Sequence, residues 1–158
     1  MKAIIQKVKR ATLYSEGEKF SEIQNGMLVL FGVSVSDDIS KVRQFADKIL
    51  KLRIFDDENG KTNKNLFDIN GEIMVVSNFT LYASLKGTNR PDFINSAKPD
   101  KAEEIYNQFV AELSKQAKVK TGVSEHIWKL KQFLMVREHM NMKFKKTLQL
   151  QCFLFFKF

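Results

Sequence analysis

The chain has 158 residues, of which 44% are hydrophobic, and 26 Lys and Arg against 18 Asp and Glu give it a net charge of +8. This length indicates one domain with a core large enough to fold without disulfides or metals, and the single cysteine, Cys152, excludes an internal disulfide. No apolar run approaches the ~20 residues of a membrane span, and residues 1–6 are too short for a signal peptide, so we expect a soluble, cytoplasmic protein that has no membrane partner and needs no metal or cofactor.

The first fifth of the chain consists of β-prone runs separated by turn signals. Asn25-Gly26 is a strong hairpin signal because both residues tolerate positive φ, and Glu16-Gly17 is a second turn. We therefore predict an antiparallel meander of four strands, at residues 3–8, 11–15, 19–23 and 27–33.

Two amphipathic helices are predicted from apolar periodicity. Ser36-Asp37-Asp38 supplies an N-cap and first-turn acids, and Pro99-Asp100 opens the second helix. Apolar residues follow each signal at helical spacing: Ile39, Val42, Phe45, Ala46, Ile49 and Leu50 in the first, and Ile105, Phe109, Val110 and Leu113 in the second. Glu112 is predicted to face outward. Short strands are predicted at residues 53–55 and 118–120.

The strand predicted at residues 72–82, Glu-Ile-Met-Val-Val-Ser-Asn-Phe-Thr-Leu-Tyr, is the one around which the fold is organised. Its continuous apolar stretch, residues 73–76, is typical of a strand buried on both faces. The residues that follow are polar, so Ser77, Asn78 and Thr80 are expected at the rim of the sheet, where they could bind a polar ligand. The alternative is that these side chains are ordinary strand residues that hydrogen-bond to the backbone.

The character of the chain changes at residue 124. Both histidines, the only Trp and the only Cys follow this point, whereas all seven glycines and both prolines precede it. Residues 124–158 carry 7 basic and 2 acidic residues, a net charge of +5, against 19 and 16, a net of +3, before them. This segment is either a basic amphipathic helix for RNA or a membrane surface, or a segment translated out of frame, which we favour.

Two adjacent motifs resemble those of the D-aminoacyl-tRNA deacylases, also called D-tyrosyl-tRNA deacylases. They are Val-Val-Ser-Asn-Phe-Thr-Leu-Tyr at residues 75–82 and Lys-Gly-Thr-Asn-Arg-Pro-Asp-Phe at residues 86–93. Further segments follow in family order, at residues 3–8, 26–33, 48–50, 52–55 and 120–123. The resemblance covers residues 1–123, which we interpret as an incomplete deacylase-like domain.

The resemblance implies an α+β fold in which antiparallel β-sheets form a barrel-like core and two amphipathic helices pack outside it. It also implies a cytoplasmic homodimer that hydrolyses the ester between a D-amino acid and the 3′-terminal adenosine of tRNA. Such an enzyme performs chiral proofreading in translation, and the family also acts on glycine mischarged on tRNA-Ala.

Seven residues are carried over from the family pattern. Ser77 and Thr80 are expected to be catalytic, and the residues expected to bind substrate are Asn78, Phe79, Lys7, Lys86 and Arg90. The family usually has glutamine where Asn78 stands, and arginine where Lys7 stands, so Lys7 keeps the charge but loses the bidentate fork.

The family pocket also uses a Gly-Pro motif with a cis peptide from the other subunit, and this chain has no Gly-Pro pair. A one-base shift allows residues 124–131 to be decoded as Phe-Gly-Ala-Tyr-Met-Glu-Val-Glu, and residues 135–137 as Asp-Gly-Pro. Both are family features at family positions, which supports the out-of-frame interpretation of residues 124–158.

Two other functional classes are weighed against the deacylase. A Ser/His hydrolase is disfavoured because Ser77 lies in no Gly-x-Ser-x-Gly elbow, and His126 and His139 fall in the atypical segment. A non-catalytic basic RNA-binding protein fits the net charge, but the sequence contains no RRM, KH or zinc-knuckle pattern.

Overall fold

The computed structural model describes residues 1–15, 18–87, 89–122, 129–134 and 154–157. Within these ranges the strands are β1 (Lys2–Ser15), β2 (Glu18–Ile23), β3 (Gly26–Gly32), β4 (Phe55–Asp56), β5 (Thr62–Lys64), β6 (Glu72–Ser77), β7 (Lys118–Thr121), β8 (Lys129–Leu134) and β9 (Leu154–Lys157). The α-helices are α1 (Val42–Leu50) and α2 (Pro99–Ser114), and short 3₁₀ helices span Ile39–Lys41 and Phe79–Tyr82. No helix in these ranges is long and apolar enough to cross a membrane.

Strand β1 is the long antiparallel partner of four other strands. Along one edge it pairs first with β3 and then with β2, as the partners Val8 with Gly26 and Ala11 with Ile23 show. Along its opposite edge it pairs with β9 and β8. The residues predicted as two separate strands, 3–8 and 11–15, are therefore one strand, in which Arg10 forms an ion pair of 2.7 Å with Glu22 on β2.

The predicted four-strand meander is wrong at Asn25-Gly26. Strands β2 and β3 do not pair with each other but lie end to end along β1, so this dipeptide is a break between them and not a hairpin turn. Gly26 is required for a different reason, because a Cβ there would lie 1.8 Å from the carbonyl oxygen of Glu72 on β6. The predicted turn at Glu16-Gly17 lies outside the described residues.

The sheet runs in the order β2-β1-β3-β6-β7, and its last two pairings, β3 with β6 and β6 with β7, are parallel. Parallel neighbours need a crossover connection, and α1 and α2 lie in these two crossovers. The α+β class with two helices packed outside a curled sheet is confirmed, and the sheet is mixed, with both parallel and antiparallel pairs.

Strand β6 is buried on both faces, as its apolar run predicted. Ile73 and Val75 join the cluster beneath the helices, and Met74 and Val76 join a second cluster on the other face. In the first cluster the ring of Phe31 stacks on that of Phe109, with centroids 4.3 Å apart and an angle of 12°.

The helices differ from prediction at their ends and at one acidic position. Asp38 caps the 3₁₀ helix and not α1, since its carboxylate accepts from the Ser40 N–H at 2.9 Å. Ile39 is consequently 41% exposed, whereas the other five apolar positions predicted for this helix are buried. Glu112 is buried and not outward, because Gln108 and Lys115 both donate to its Oε1.

The short strands lie close to their predicted positions. Strand β7 confirms the strand predicted at residues 118–120. Instead of a single short strand at residues 53–55, β4 and β5 form a small antiparallel hairpin. The acidic turn between them is held by Asp57, whose Oδ1 accepts from the N–H groups of Asn59 and Lys61 at 2.9 Å each.

The stacked core predicts a large difference between two Phe→Ala substitutions. Phe109 is fully buried, whereas Phe67 is 47% exposed. Phe109→Ala should lower the free energy of unfolding by about 3 to 5 kcal/mol because it leaves a cavity, and Phe67→Ala should change it by less than about 1 kcal/mol. Urea denaturation of both variants measures these values, and similar losses would contradict the described packing.

Candidate functional site

The candidate site lies where β6 leaves the core. Val76 is the last buried residue of the strand, and Ser77, its final residue, is exposed. The strand does not continue to residue 82, as the sequence suggested, because the chain turns at Asn78 into the 3₁₀ helix Phe79–Tyr82. The N–H of Asn78 still donates to the Phe31 carbonyl on β3 at 2.8 Å. Residues 77–82, the strand-end turn, are thus anchored to the sheet at their start.

The side chain of Asn78 folds back onto Thr80. Its Oδ1 accepts hydrogen bonds from the Thr80 N–H at 3.0 Å and from the Thr80 hydroxyl, which is how a short amide caps a turn two residues ahead. The Thr80 hydroxyl proton is therefore directed at Asn78, and the oxygen is left with lone pairs that can accept a hydrogen bond.

Two hydrogen-bond donors remain open beside Thr80. Within the described part of the chain, the N–H of Phe79 and the Nδ2 of Asn78 have no acceptor. An exposed N–H at the start of a helical turn attracts negative charge or a carbonyl oxygen. The strand-end turn thus presents both donors and an acceptor on an exposed rim, which suits a polar ligand better than an apolar one.

The ring of Phe79 is 57% exposed and lies beside a second exposed ring. Phe93 meets it edge to face, with centroids 5.0 Å apart and an angle of 67°. The Ser96 hydroxyl also donates to the Phe79 carbonyl at 2.9 Å. The loop after the strand-end turn therefore folds back against it, as a long functional loop commonly does.

Lys86 and Arg90, both predicted to bind substrate, are exposed on this loop. Backbone hydrogen bonds of 2.9 and 3.0 Å between Ser84 and Asp92 close residues 84–92, the basic loop, at its base. The base adjoins Phe93, so the basic loop projects from a point next to the strand-end turn of the same chain.

Lys7 is not brought to the strand-end turn of its own chain. It pairs with Met27 on β3, and Met27 pairs with Ile73 near the beginning of β6, at the end of the strand opposite Ser77. The ammonium of Lys7 lies 3.5 Å from a carboxylate oxygen of Asp56. The lysine that reaches the turn is Lys2, which sequence reasoning missed.

Lys2 belongs to a polar network that holds the turn from behind. Its ammonium donates to the Leu81 carbonyl at 3.0 Å and lies 4.3 Å from the centre of the Tyr82 ring. The Tyr82 hydroxyl lies 3.4 Å from Asp37, whose carboxylate also accepts from the Ser34 N–H at 2.7 Å. Burial, and then the Asp37 charge, raise the pKa of Tyr82. These contacts join residues far apart in sequence, so only the strand register could have revealed them.

Gly32 and Tyr106 also fix where the turn lies. A Cβ at Gly32 would be 2.8 Å from the Asn78 carbonyl oxygen, so only glycine lets the turn pass so close to the end of β3. The buried Tyr106 hydroxyl of α2 donates to the Val75 carbonyl at 3.0 Å, two residues before the turn. Burial raises the pKa of Tyr106 to about 12.

The described residues also form a surface cavity away from the strand-end turn, and they hold no candidate metal site. A surface cavity of about 340 Å³, lined by Phe67, Gly71 and Lys118 among others, lies at the opposite end of β6 from the strand-end turn. Among the residues that the structure describes, no three His, Cys, Asp or Glu side chains are grouped so as to hold a metal ion.

Sequence comparisons point to one family. The family model described as D-Tyr-tRNA(Tyr) deacylase matches residues 4–134, which continues past residue 123. A D-aminoacyl-tRNA deacylase of Thermosipho africanus (strain TCF52B) is 48% identical over 123 residues, which are 77% of this chain and 83% of that protein. One of Dictyoglomus turgidum (strain DSM 6724 / Z-1310) is 45% identical over 124 residues, 78% of this chain and 80% of the relative.

Two solved structures are similar to this one. The c-Myc DNA Unwinding Element Binding Protein shares 38% identity at a TM-score of 0.79, covering 84% of this chain and 91% of its own. A probable eukaryotic D-amino acid tRNA deacylase aligns at a TM-score of 0.68 over 83% of this chain and 92% of its own. Its 14% identity supports the shared fold alone.

The position of Tyr106 predicts a pH-dependent contribution to stability. Its folded pKa of about 12 lies above the ordinary value of 10.0, so the neutral hydroxyl stabilises the fold fully below pH 10, and this contribution is lost as the pH rises toward 12. The native chain should have a higher free energy of unfolding than Tyr106→Phe at pH values below 10. This difference should shrink by roughly 2 to 3 kcal/mol as the pH rises from 10 to 12. Urea titrations at stepped pH measure the difference, and a constant difference would show that the hydroxyl ionises freely.

Proposed function

This chain belongs to the D-Tyr-tRNA(Tyr) deacylase family, and we propose that it hydrolyses the ester joining a D-amino acid to the 3′-terminal adenosine of tRNA. The observation that carries the proposal is the exposed strand-end turn, where two open donors adjoin a hydroxyl acceptor. Ester hydrolysis needs both kinds of group, because an oxyanion must be stabilised and a water must be oriented.

In the proposed reaction, the ester carbonyl oxygen accepts hydrogen bonds from the Phe79 N–H and the Asn78 Nδ2. A water that donates to the Thr80 Oγ1 attacks the carbonyl carbon, and negative charge develops on the carbonyl oxygen. The tetrahedral intermediate then collapses and the bond to the ribose 3′ oxygen breaks. The proton lost by the water is relayed through the neighbouring 2′ hydroxyl of the same ribose to the departing 3′ oxygen, which becomes a free hydroxyl. An aminoacyl ester is activated, so positioning can supply most of the catalysis.

The remaining site residues are proposed to bind substrate around this centre. Ser77, exposed at the end of β6, offers its hydroxyl on the strand side of the ester. Phe79 offers an aromatic face to the terminal adenine, since base stacking on exposed aromatic rings is a common mode of single-strand binding. Lys86 and Arg90 on the basic loop are placed to attract tRNA phosphates.

We further propose that the active form is a cytoplasmic homodimer that proofreads D-aminoacyl-tRNA and glycine mischarged on tRNA-Ala. Lys7 supports a second subunit, because in one chain it lies at the end of β6 opposite Ser77. For Lys7 to bind substrate as the family pattern implies, the strand-end turn of another subunit must supply the rest of the site.

Residues 1–123 are proposed to be the deacylase domain, and residues 124–158 to be read out of frame. The proposal rests on the abrupt change in composition and on the two family motifs that one base shift allows. In the chain as given, the Gly-Pro pair that forms the chirality filter in the family is missing from the sequence, so the pocket is proposed to be incomplete.

Thr80→Val tests the reaction geometry. In the frame-restored protein the substitution removes the hydroxyl acceptor but leaves the backbone N–H that Asn78 caps, so turnover of D-tyrosyl-tRNA should fall by about 100-fold, within the range for a group that orients the attacking water. Unfolding free energy should change by less than about 1 kcal/mol because the side chain is exposed. Thr80→Ser, which keeps the hydroxyl, is the matched control. Parallel loss of turnover and stability would make Thr80 a structural residue.

Restoring the reading frame near codon 123 tests the domain assignment. We expect the restored protein to hydrolyse D-aminoacyl-tRNA ~100-fold faster, because a misassembled site loses its alignment. It should also be more soluble, since residues 151–158 form an apolar window with a single charge. Both versions are compared for soluble yield, dimerisation and release of D-tyrosine. The frame-shift interpretation is refuted if the original chain is soluble and dimeric and hydrolyses D-aminoacyl-tRNA as fast as the restored chain. A non-catalytic RNA-binding protein is favoured if the restored chain binds charged tRNA but never hydrolyses it.

A further inference from the structure

Phe93 is an exposed aromatic residue to which the proposed reaction assigns no role. Its ring is 39% exposed and is held edge to face against Phe79. Such a geometry fixes the orientation of a ring without covering it. Phe93 therefore presents a rigid aromatic surface next to, but separate from, the residues that would contact the ester.

The surroundings of this ring are basic. The basic loop ends at Asp92, immediately before Phe93, and carries Lys86 and Arg90 as its exposed cations. Two backbone hydrogen bonds between Ser84 and Asp92 close the base of this loop next to the ring. An aromatic surface beside positive charges is the arrangement that binds single-stranded nucleic acid, in which bases stack and phosphates are neutralised.

The structure points to Phe93 as a stacking platform for the nucleotide that precedes the terminal adenosine. We infer that this base lies on the Phe93 ring while Lys86 or Arg90 contacts the adjoining phosphate. The inference rests on the proposed function, because it assumes that the terminal adenosine lies against Phe79. It extends that function by giving the protein a means of recognising a single-stranded 3′ end beyond one nucleotide.

A second copy of this chain is the alternative occupant of the same surface, since Leu85 and Ile94 nearby are 61% and 81% exposed. Two features favour RNA. The two cations and one acidic residue of the basic loop would repel an identical loop, and the held aromatic ring gives a base more contact than a flexible aliphatic patch would.

The test compares binding of two labelled probes, the RNA trinucleotide CCA and adenosine monophosphate, to the full chain. Phe93→Ala should weaken CCA binding by about tenfold, within the range for loss of one stacked base, and should leave the mononucleotide unaffected. Phe93→Trp should restore CCA binding because it keeps a stacking face, whereas Phe93→Leu, which keeps only apolar volume, should not. Phe67→Ala is the matched control because that ring is 47% exposed and lines the distant cavity.

Several outcomes would overturn the inference. The inference fails if Phe93→Ala and Phe67→Ala bind CCA with equal affinity. It also fails if Phe93→Leu binds CCA as tightly as the unsubstituted chain. A change in oligomeric state without a change in CCA affinity would identify the surface as a contact between copies. Sedimentation and thermal melting of each variant separate these results from misfolding.

Hydrolysis provides an independent reading of the two proposals. For the frame-restored chain, Phe93→Ala should lower kcat/KM for D-tyrosyl-tRNA by about tenfold and leave kcat/KM for D-tyrosyl-adenosine unchanged. If the frame-restored chain without further substitution hydrolyses neither substrate, but its CCA binding still depends on Phe93, the proposed function fails and the stacking platform stands. If both substrates are hydrolysed and Phe93 affects them equally, the platform fails and the proposed function stands.

Discussion

Burial of β6 on both faces is the constraint on which the rest of the structure depends. Ile73 and Val75 pack beneath the helices, and Met74 and Val76 pack on the other side of the sheet. A one-residue slip would exchange these two sets of side chains, so the register of β6 with its parallel neighbours is strongly fixed. The point at which the strand leaves the core is consequently fixed as well. The exposed rim that begins at Ser77 therefore inherits its position from the hydrophobic core and not from the loops around it.

Local patterns in the sequence predicted the parts of the fold that local chemistry determines. The two-sided strand followed from an unbroken apolar run at residues 73–76, and both helices followed from their apolar periodicity. The strand order did not follow, because pairing Gly26 with Glu72 joins residues far apart in the chain. The Asn25-Gly26 signal was misleading for the same reason. Its flanking strands both find a better partner in β1, which is long enough to take them end to end.

The candidate site was predictable only where its residues are consecutive. Residues 77–80 lie together because they are neighbours in sequence, and Lys86 and Arg90 share a loop whose base closes beside them. Lys2 reaches the turn from the start of β1, and Phe93 meets Phe79 because the loop returns to it. Neither contact is visible in a local sequence pattern. Lys7 shows the converse case. A residue can occupy its family position in sequence and still lie at the far end of the strands in its own chain.

The identity of residue 78 determines what the strand-end turn can do. Asn78 is short enough for its Oδ1 to reach the Thr80 N–H and hydroxyl, so one side chain closes the turn and orients the catalytic candidate. A glutamine has one more methylene, which would carry its amide past the Thr80 N–H and outward toward a ligand. The shorter side chain therefore makes the turn more rigid, but its amide extends less far toward a ligand than that of a glutamine. Because rotamer freedom is lost in forming the cap and not in binding, the donor on Nδ2 is already oriented before any ligand arrives. A ligand carbonyl bound by this amide would therefore lie closer to the strand end than one bound by a glutamine at the same position.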